Sequence, residues 1–252
     1  MRKNTASPPF WIPANWPAPE NIHAGTTIRK GGISNKPYDS LNLAQHVGDD
    51  PDSVFHNRQK VVTDLGLPNE PVWLEQVHGN RIIDIARTKD TANADGAYTN
   101  RSNHVCVVMT ADCLPLLITD KNGREIAAIH VGWRGYASNI VGSALGMFKN
   151  KPENLLAWTG PCIHAEHYEV DNTVRDACLN ITPLAIQAFK PSRKGHWYAN
   201  LELLVRNQLG ESGLLDVFGG DYCTYRDVDI FYSYRRDGST GRIATMIWMD
   251  SF

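Results

Sequence analysis

The sequence has no long apolar run and no excess of basic residues. Its longest apolar stretches, residues 105–109 and 114–118, are far shorter than the roughly 18–20 residues that a bilayer-crossing helix needs. Its 25 lysine and arginine residues are balanced by 27 aspartate and glutamate residues, a net charge of −2. Proteins that bind nucleic acid by neutralising phosphates usually carry a basic excess. We therefore expect neither a membrane-spanning nor a nucleic-acid-binding protein.

The sequence also lacks a secretory signal and an even set of cysteines. Residues 1–17 contain no apolar core of the kind found in signal peptides, so we predict a cytoplasmic protein. The chain has five cysteines, an odd number, and the cytoplasm is reducing. Both facts argue against a disulfide framework. We expect at least one cysteine to have a chemical role.

The pattern of apolar residues predicts one α+β domain spanning residues 1–252. No linker or internal repeat interrupts the 252 residues, of which 42% are hydrophobic. We predict an extended proline-rich start, strands at 104–110, 114–120, 125–131 and 155–159, helices at 50–65, 136–148, 174–188 and 201–209, and a terminal hairpin formed by 230–234 and 243–249. Because strands and helices do not alternate regularly, an α+β fold is favoured over a doubly wound sheet.

Three side chains with metal-binding or nucleophilic chemistry stand where predicted strands end. His78 follows an apolar segment, Cys113 interrupts two strands, and His130 closes a third. Two imidazoles and one thiolate would leave the fourth position of a tetrahedral zinc ion open, as catalytic zinc sites do. No local motif such as CxxC links the three residues. The same pattern also fits a buried cysteine and two histidines with structural roles.

A thiolate nucleophile is a rival interpretation of the same residues. His130 or His78 would lower the pKa of Cys113, and Asp112 would orient the histidine that acts as base. Whether zinc copurifies with the protein separates the two interpretations.

Basic and glycine-rich segments offer candidate anion sites. Residues 132–135 begin a predicted helix and place free backbone N–H groups beside Arg134, although glycines there serve a plain tight turn equally well. Residues 27–32 form a second cationic loop, and the arginines at 235, 236 and 242 a third. A second group of metal-type residues, Cys162, His164 and His167, lacks a further ligand nearby, and we interpret it as accidental.

The sequence resembles the bacterial multicopper polyphenol oxidase family, also called the laccase-domain family and now better described as purine nucleoside phosphorylases. The motifs WLEQVHGN, TADCLP and HVGWRG carry much of the resemblance. The segments that match, in family order, are residues 27–34, 40–43, 48–51, 73–80, 94–96, 110–115, 130–135, 160–161 and 233–242.

The resemblance implies a single α+β domain of layered mixed β-sheets flanked by helices, with zinc bound by His78, Cys113 and His130. It implies phosphorolysis of adenosine, inosine and methylthioadenosine, and deamination of adenosine, so that purine nucleosides and phosphate are the expected partners. The residues in segments that match the family's pocket motifs are Arg29, Asn42, Gln76, Asp112 and Arg134.

The chemistry of these reactions suggests roles for the matched residues. Phosphorolysis needs cations for the phosphate, for which we expect Arg134 and Arg29, together with a Lewis acid or proton source for the leaving purine. Deamination needs a carboxylate that moves protons, for which Asp112 is the candidate. Cys113 and His130 complete the expected catalytic set.

Two further functions remain open at this stage. One is a Cys113-dependent amide hydrolase that edits cell-wall precursors, and another is a non-catalytic binding protein. Copper-dependent oxidation of phenols is doubtful, because a multicopper cluster would need most of the remaining seven of nine histidines and the sequence contains no His-x-His pair.

Overall fold

The computed structural model describes residues 8–88 and 93–250. Its strands are β1 (Trp11–Pro13), β2 (Ile22–Thr27), β3 (Ile82–Asp84), β4 (Gly96–Thr99), β5 (Val105–Thr110), β6 (Leu114–Asp120), β7 (Ile126–Val131), β8 (Leu155–Thr159), β9 (Glu169–Asp171), β10 (Phe189–Pro191), β11 (His196–Ala199), β12 (Val217–Gly219) and β13 (Ile243–Met249). Its α-helices are α1 (Pro51–Leu65), α2 (Trp133–Ala137), α3 (Ile140–Leu145), α4 (Asn172–Leu179), α5 (Leu201–Glu211) and α6 (Tyr234–Asp237).

These strands form three sheets. An antiparallel sheet has the order β1-β2-β13-β5, and a mixed sheet has the order β12-β8-β6-β7-β4-β3. In the mixed sheet, β12 is parallel to β8 and β3 is parallel to β4, whereas the central pairs are antiparallel. A small antiparallel sheet, β10-β11-β9, is not hydrogen-bonded to either of these, but its side chains share a core cluster with the mixed sheet.

The two large sheets pack face to face between layers of helices. Side chains along β5 alternate: Cys106 and Val108 pack in the cluster between the sheets, while Val105 and Val107 pack in the cluster that contains residues of α1. This period of two is what a strand buried on both faces requires. Helices α3 and α5 contribute to the cluster on the far side of the mixed sheet. The α+β prediction with layered sheets is confirmed.

Most predicted elements are present, and helix α1 shows why. Asp50 caps its N-terminus by accepting a hydrogen bond from the backbone N–H of Ser53, and Pro51 occupies the first turn. Gly66 ends the helix in a left-handed conformation with φ of 59°. Among the described residues, none of the helices combines the length and apolar character that a bilayer-crossing helix needs.

Two predicted helices are interrupted. The segment predicted as 136–148 begins earlier, in α2, and is broken at Asn139, which takes a left-handed φ of 65°. The segment predicted as 174–188 ends its α-helix at Leu179, because Thr182 and Pro183 start a separate 3₁₀ turn.

The predicted terminal hairpin is wrong. Residues 230–234 form no strand, since Ser233 instead caps the short helix α6 by accepting from the N–H of Arg236. Strand β13 pairs with β2 on one side and β5 on the other, both distant in sequence. Two long-range partners therefore replace the local one that the pattern suggested.

Candidate metal centre

His78, Cys113 and His130 converge at one end of the mixed sheet. One potential ligand atom from each lies within 4.8 Å of the others. The His78 Nε2 atom is 3.9 Å from the Cys113 Sγ atom, and the two imidazole rings meet edge to face with centroids 4.7 Å apart. His130 is buried, Cys113 is partly buried and His78 is exposed, so the group opens to solvent on the His78 side.

Strand pairing brings Cys113 and His130 together. Strands β6 and β7 are neighbours, and Leu114 pairs with Val131, so that Cys113 and Gly132 face each other just beyond the ends of the strands. A Cβ atom on Gly132 would lie 2.9 Å from the Cys113 Sγ atom and 3.1 Å from the His78 Cδ2 atom. Glycine at this position leaves the space between the three ligands open.

Asp95 connects the two histidines. Its carboxylate, fully buried, accepts hydrogen bonds from the backbone N–H groups of Val77, His78 and Gly79 at 3.2, 2.9 and 2.7 Å. The same carboxylate lies 2.8 Å from the Nδ1 atom of His130. It thus holds the turn in which His78 takes a positive φ of 60° and orients the ring of His130.

These contacts suit a metal ion. A hydrogen bond from Nδ1 of His130 to Asp95 leaves Nε2 as the coordinating nitrogen, the arrangement in which a carboxylate orients a metal-ligating histidine. Two imidazoles and a thiolate match the preferences of zinc and leave one tetrahedral position for substrate or water. The residues therefore fit a zinc ion that His78, Cys113 and His130 would bind.

The histidines around Cys113 favour its thiolate, which is the form that binds a metal ion. Burial raises the pKa of the Cys113 thiol, but the charge of His130 and hydrogen bonds with His130 and His78 outweigh it, so that the pKa falls to about 6. Burial lowers the pKa of His130, and the Cys113 thiolate and the Asp95 hydrogen bond reverse this effect, so that the pKa rises to about 9. Without metal, the two groups therefore form a thiolate–imidazolium pair.

Asp112 lies beside the centre but faces other partners. Its backbone takes a positive φ of 94°, and its carboxylate accepts hydrogen bonds from the Thr224 hydroxyl at 2.7 Å and the backbone N–H of Arg235 at 2.6 Å. The orienting role that a thiolate mechanism gave to Asp112 is wrong, because Asp95 contacts the Nδ1 atom of His130. Proton transfer by Asp112 stays a prediction.

Two other residues expected to bind substrate make hydrogen bonds that hold parts of the protein together. Gln76 exchanges two hydrogen bonds with the backbone of Met109, at 2.8 and 2.7 Å, and so attaches the segment before His78 to the end of β5. Asn42 is fully buried, and its amide donates to Ala44 and Asp49 and accepts from Ala44 and Arg242. Substrate contact by Asn42 or Gln76 stays a prediction.

The two arginines expected to bind phosphate differ in whether the guanidinium already makes hydrogen bonds within the protein. The Arg29 guanidinium donates to the carbonyl groups of Asp39 and Val228 and stacks on Tyr232 at 4.9 Å, which ties it into the scaffold. Arg134 is exposed and lies over the Trp133 ring at 4.4 Å. Of the two, Arg134 is the one whose charge is available to a ligand.

The second group of metal-type residues does not converge. The backbone N–H of His164 lies 3.4 Å from the Cys223 Sγ atom, the His167 ring stacks on Tyr225, and Cys162 is buried. Within residues 8–88 and 93–250, which include every histidine and cysteine of the chain, only the group at His78 brings three potential metal ligands together. In this part of the chain, no second group supplies the further ligands that a multicopper cluster would need.

Sequence reasoning missed the role of Asp95. Asp95 stands in the motif ADG, but only the pairing of Gly96 on β4 with Ile129 on β7 places its side chain at His130.

The fold and the centre together define a layered α+β protein with one His–Cys–His site at the end of a mixed sheet. The chain belongs to the multi-copper polyphenol oxidoreductase laccase family, whose model matches residues 23–250. The resemblance seen in the sequence is confirmed.

Relatives match along nearly the whole chain. A Haemophilus influenzae protein named purine nucleoside phosphorylase is 42% identical over 241 residues, covering 95% of this chain and 99% of that protein. An Escherichia coli protein named purine nucleoside phosphorylase YfiH is 43% identical, covering 94% and 98%. A crystal structure of a Neisseria meningitidis protein has a TM-score of 0.93 at 40% identity, covering 96% of this chain and all of that one.

Proposed function

We propose that the protein is a zinc-dependent purine nucleoside phosphorylase that acts on inosine, adenosine and methylthioadenosine. The observation that carries the proposal is the convergence of His78, Cys113 and His130 at an accessible sheet end. Support comes from relatives about 40% identical over nearly the whole chain that are named for this activity.

In phosphorolysis, an oxygen of phosphate forms a bond to C1′ of the ribose while the bond from C1′ to the purine nitrogen breaks. The electron pair of that bond leaves with the purine, which takes up a proton. Zinc would supply a Lewis acid at this centre. Arg134, which is exposed and follows His130 by four residues in the chain, offers charge to an anionic substrate, and Asp95 keeps the His130 ring in one orientation.

We propose adenosine deamination as a second activity of the same centre. It needs a carboxylate that carries protons to the purine. Asp112 is adjacent to Cys113 in sequence, but both of its oxygens accept hydrogen bonds from Thr224 and Arg235. Phosphorolysis, which needs no such carboxylate, is therefore better supported.

The decisive experiment combines metal analysis with nucleoside turnover. We expect about one zinc ion per chain and release of hypoxanthine from inosine only when phosphate is present. Cys113→Ala should lose both zinc and activity, whereas Cys178→Ala, which removes a buried thiol outside the centre, should keep both. A wild-type protein without zinc, or one whose turnover ignores phosphate, would contradict the proposal.

A Cys113-dependent hydrolase is the second candidate, and one observation favours it. Cys113, His130 and Asp95 line up as thiol, imidazole and orienting carboxylate, the order found in thiol hydrolases. Amide hydrolysis that persists after chelation but is lost in Cys113→Ser would establish it. Loss of activity on chelation would exclude it.

A further inference from the structure

Arg242 stands beside the centre because of strand register. Ile243, the first residue of β13, pairs with Thr110, the last residue of β5. The next residues along the two antiparallel strands are Arg242 and Ala111, so Arg242 lies across from the turn that carries Asp112 and Cys113. The charges of Cys113 and Asp112 both act on its guanidinium.

The backbone that presents Arg242 is rigid. Its N–H donates to the Asn42 side-chain oxygen at 3.0 Å, and Asn42 is fully buried. A Cβ atom on the preceding Gly241 would lie 2.6 Å from the Tyr232 ring and 3.0 Å from Asn42, so the segment has no space to shift toward these side chains. The position of Arg242 is therefore set by the core.

Only one nitrogen of the Arg242 guanidinium donates hydrogen bonds within the described part of the chain. Its Nη1 atom donates to the carbonyl oxygens of Thr240 and Gly241 at 2.8 and 3.0 Å. Within the described part of the chain, its Nε and Nη2 atoms have no hydrogen-bond partner and no carboxylate oxygen lies within 4.0 Å. By contrast, Arg206, Arg226 and Arg236 each pair with an acidic side chain at 2.7–2.8 Å.

The Nε and Nη2 atoms of Arg242 are open to a ligand, and the guanidinium lies over the Tyr234 ring at 5.9 Å from its centroid. Arg242 is partly buried, and burial lowers the pKa of its guanidinium, while the negative charges of Cys113 and Asp112 oppose the shift. A partly buried cation that lacks a close counter-ion is unfavourable unless a ligand supplies one. The planar Nε–Nη2 edge suits two oxygens of one phosphate group.

We propose that Arg242 binds the phosphate that attacks the nucleoside, through its unpaired Nε and Nη2 atoms, on the side of the centre that carries Cys113. The inference rests on the proposed function and shifts the phosphate contact from Arg29, which is bonded within the scaffold, to Arg242.

The test measures binding of inorganic phosphate to zinc-loaded protein by calorimetry, alongside the KM for phosphate in inosine cleavage. Arg242→Met should weaken phosphate binding and raise this KM by roughly 30-fold or more, the effect of losing charge-assisted hydrogen bonds. The KM for inosine and the zinc content should change little. The matched control is Arg87→Met, which removes an exposed arginine paired with Asp84 and should behave as wild type.

A second variant covers the case in which Arg242→Met fails to fold or to retain zinc. Arg242→Lys keeps the charge but loses the planar pair of donors, so phosphate binding should weaken by roughly 5-fold with zinc retained. Wild-type phosphate binding in a folded, zinc-loaded Arg242→Met or Arg242→Lys protein would overturn the inference.

The experiments distinguish failure of the inference about Arg242 from failure of the proposed function. If wild-type protein binds phosphate, Arg242→Met does not, and inosine is never cleaved, the anion site stands and the nucleoside activity fails. If inosine is cleaved and Arg242→Met keeps the wild-type KM for phosphate, the activity stands and the role of Arg242 fails. If wild-type protein neither binds phosphate nor cleaves inosine, both fail.

Discussion

Replacing Asp95 with asparagine should weaken metal binding without touching a ligand. The Oδ1 atom accepts from the N–H of His78 and faces Nδ1 of His130, and Oδ2 accepts from the N–H groups of Val77 and Gly79. Asparagine has one acceptor oxygen, so whichever pair it keeps, its NH₂ group faces the other two donors. Each buried donor left unpaired costs about 1–3 kcal/mol.

We therefore expect Asp95→Asn to lower the free energy of unfolding of the zinc-free protein by about 2–6 kcal/mol. Zinc affinity should fall by about 10–100-fold, the usual effect of removing a carboxylate that orients a metal-ligating histidine. Urea denaturation measures the first quantity, and competition with a chromophoric chelator measures the second.

The matched control is Asp216→Asn. Asp216 is an exposed carboxylate paired with Lys121 at 2.8 Å, and its loss should change stability by less than about 1 kcal/mol and leave zinc affinity unchanged. If Asp95→Asn bound zinc as tightly as wild type and unfolded at the same urea concentration, Asp95 would not organise the centre.

Three further variants or conditions test the centre. Gly132→Ala places a Cβ atom 2.9 Å from the Cys113 Sγ atom, so zinc content should fall sharply while circular dichroism shows an intact fold; full zinc occupancy would refute the crowding argument. Because the pKa of Cys113 is lowered to about 6 and that of His130 raised to about 9, zinc must displace the His130 proton below about pH 9 and the Cys113 proton as well below about pH 6. Apparent zinc affinity should thus rise about tenfold per pH unit from 6 to 9 and more steeply below 6, and a flat profile in chelator competition would contradict this. Asp112→Asn should lower the free energy of unfolding by about 1–3 kcal/mol through its contacts with Thr224 and Arg235 yet retain zinc, and unchanged stability in urea would argue against that structural role.

The three candidate metal ligands could be found in the sequence because each stands at a visible boundary. Cys113 breaks two apolar strands, and His130 precedes a glycine-punctuated turn, so the pattern marks both as strand-end residues. Asp95 could not be found in this way. Its role depends on β4 lying beside β7, a pairing between segments about 30 residues apart that periodicity does not reveal.

The errors in the fold have a related origin. The break at Asn139 lies within a run of helical spacing, and the left-handed conformation of that residue carries no hydrophobic signature. The predicted hairpin placed β13 beside its nearest apolar neighbour in sequence. In the structure β13 is buried between β2 and β5 and forms backbone hydrogen bonds with both strands. Arg242 immediately precedes this strand, so its position across from the turn that carries Cys113 follows from a pairing that the sequence pattern did not indicate.

The most direct test of the account is the rate of hypoxanthine release from inosine by zinc-loaded wild-type protein and Cys113→Ala as phosphate concentration is varied. We expect a rate that saturates with phosphate in the wild type and is abolished in the variant, together with loss of its zinc. A wild-type rate that does not depend on phosphate, or a Cys113→Ala protein that remains active, would contradict it.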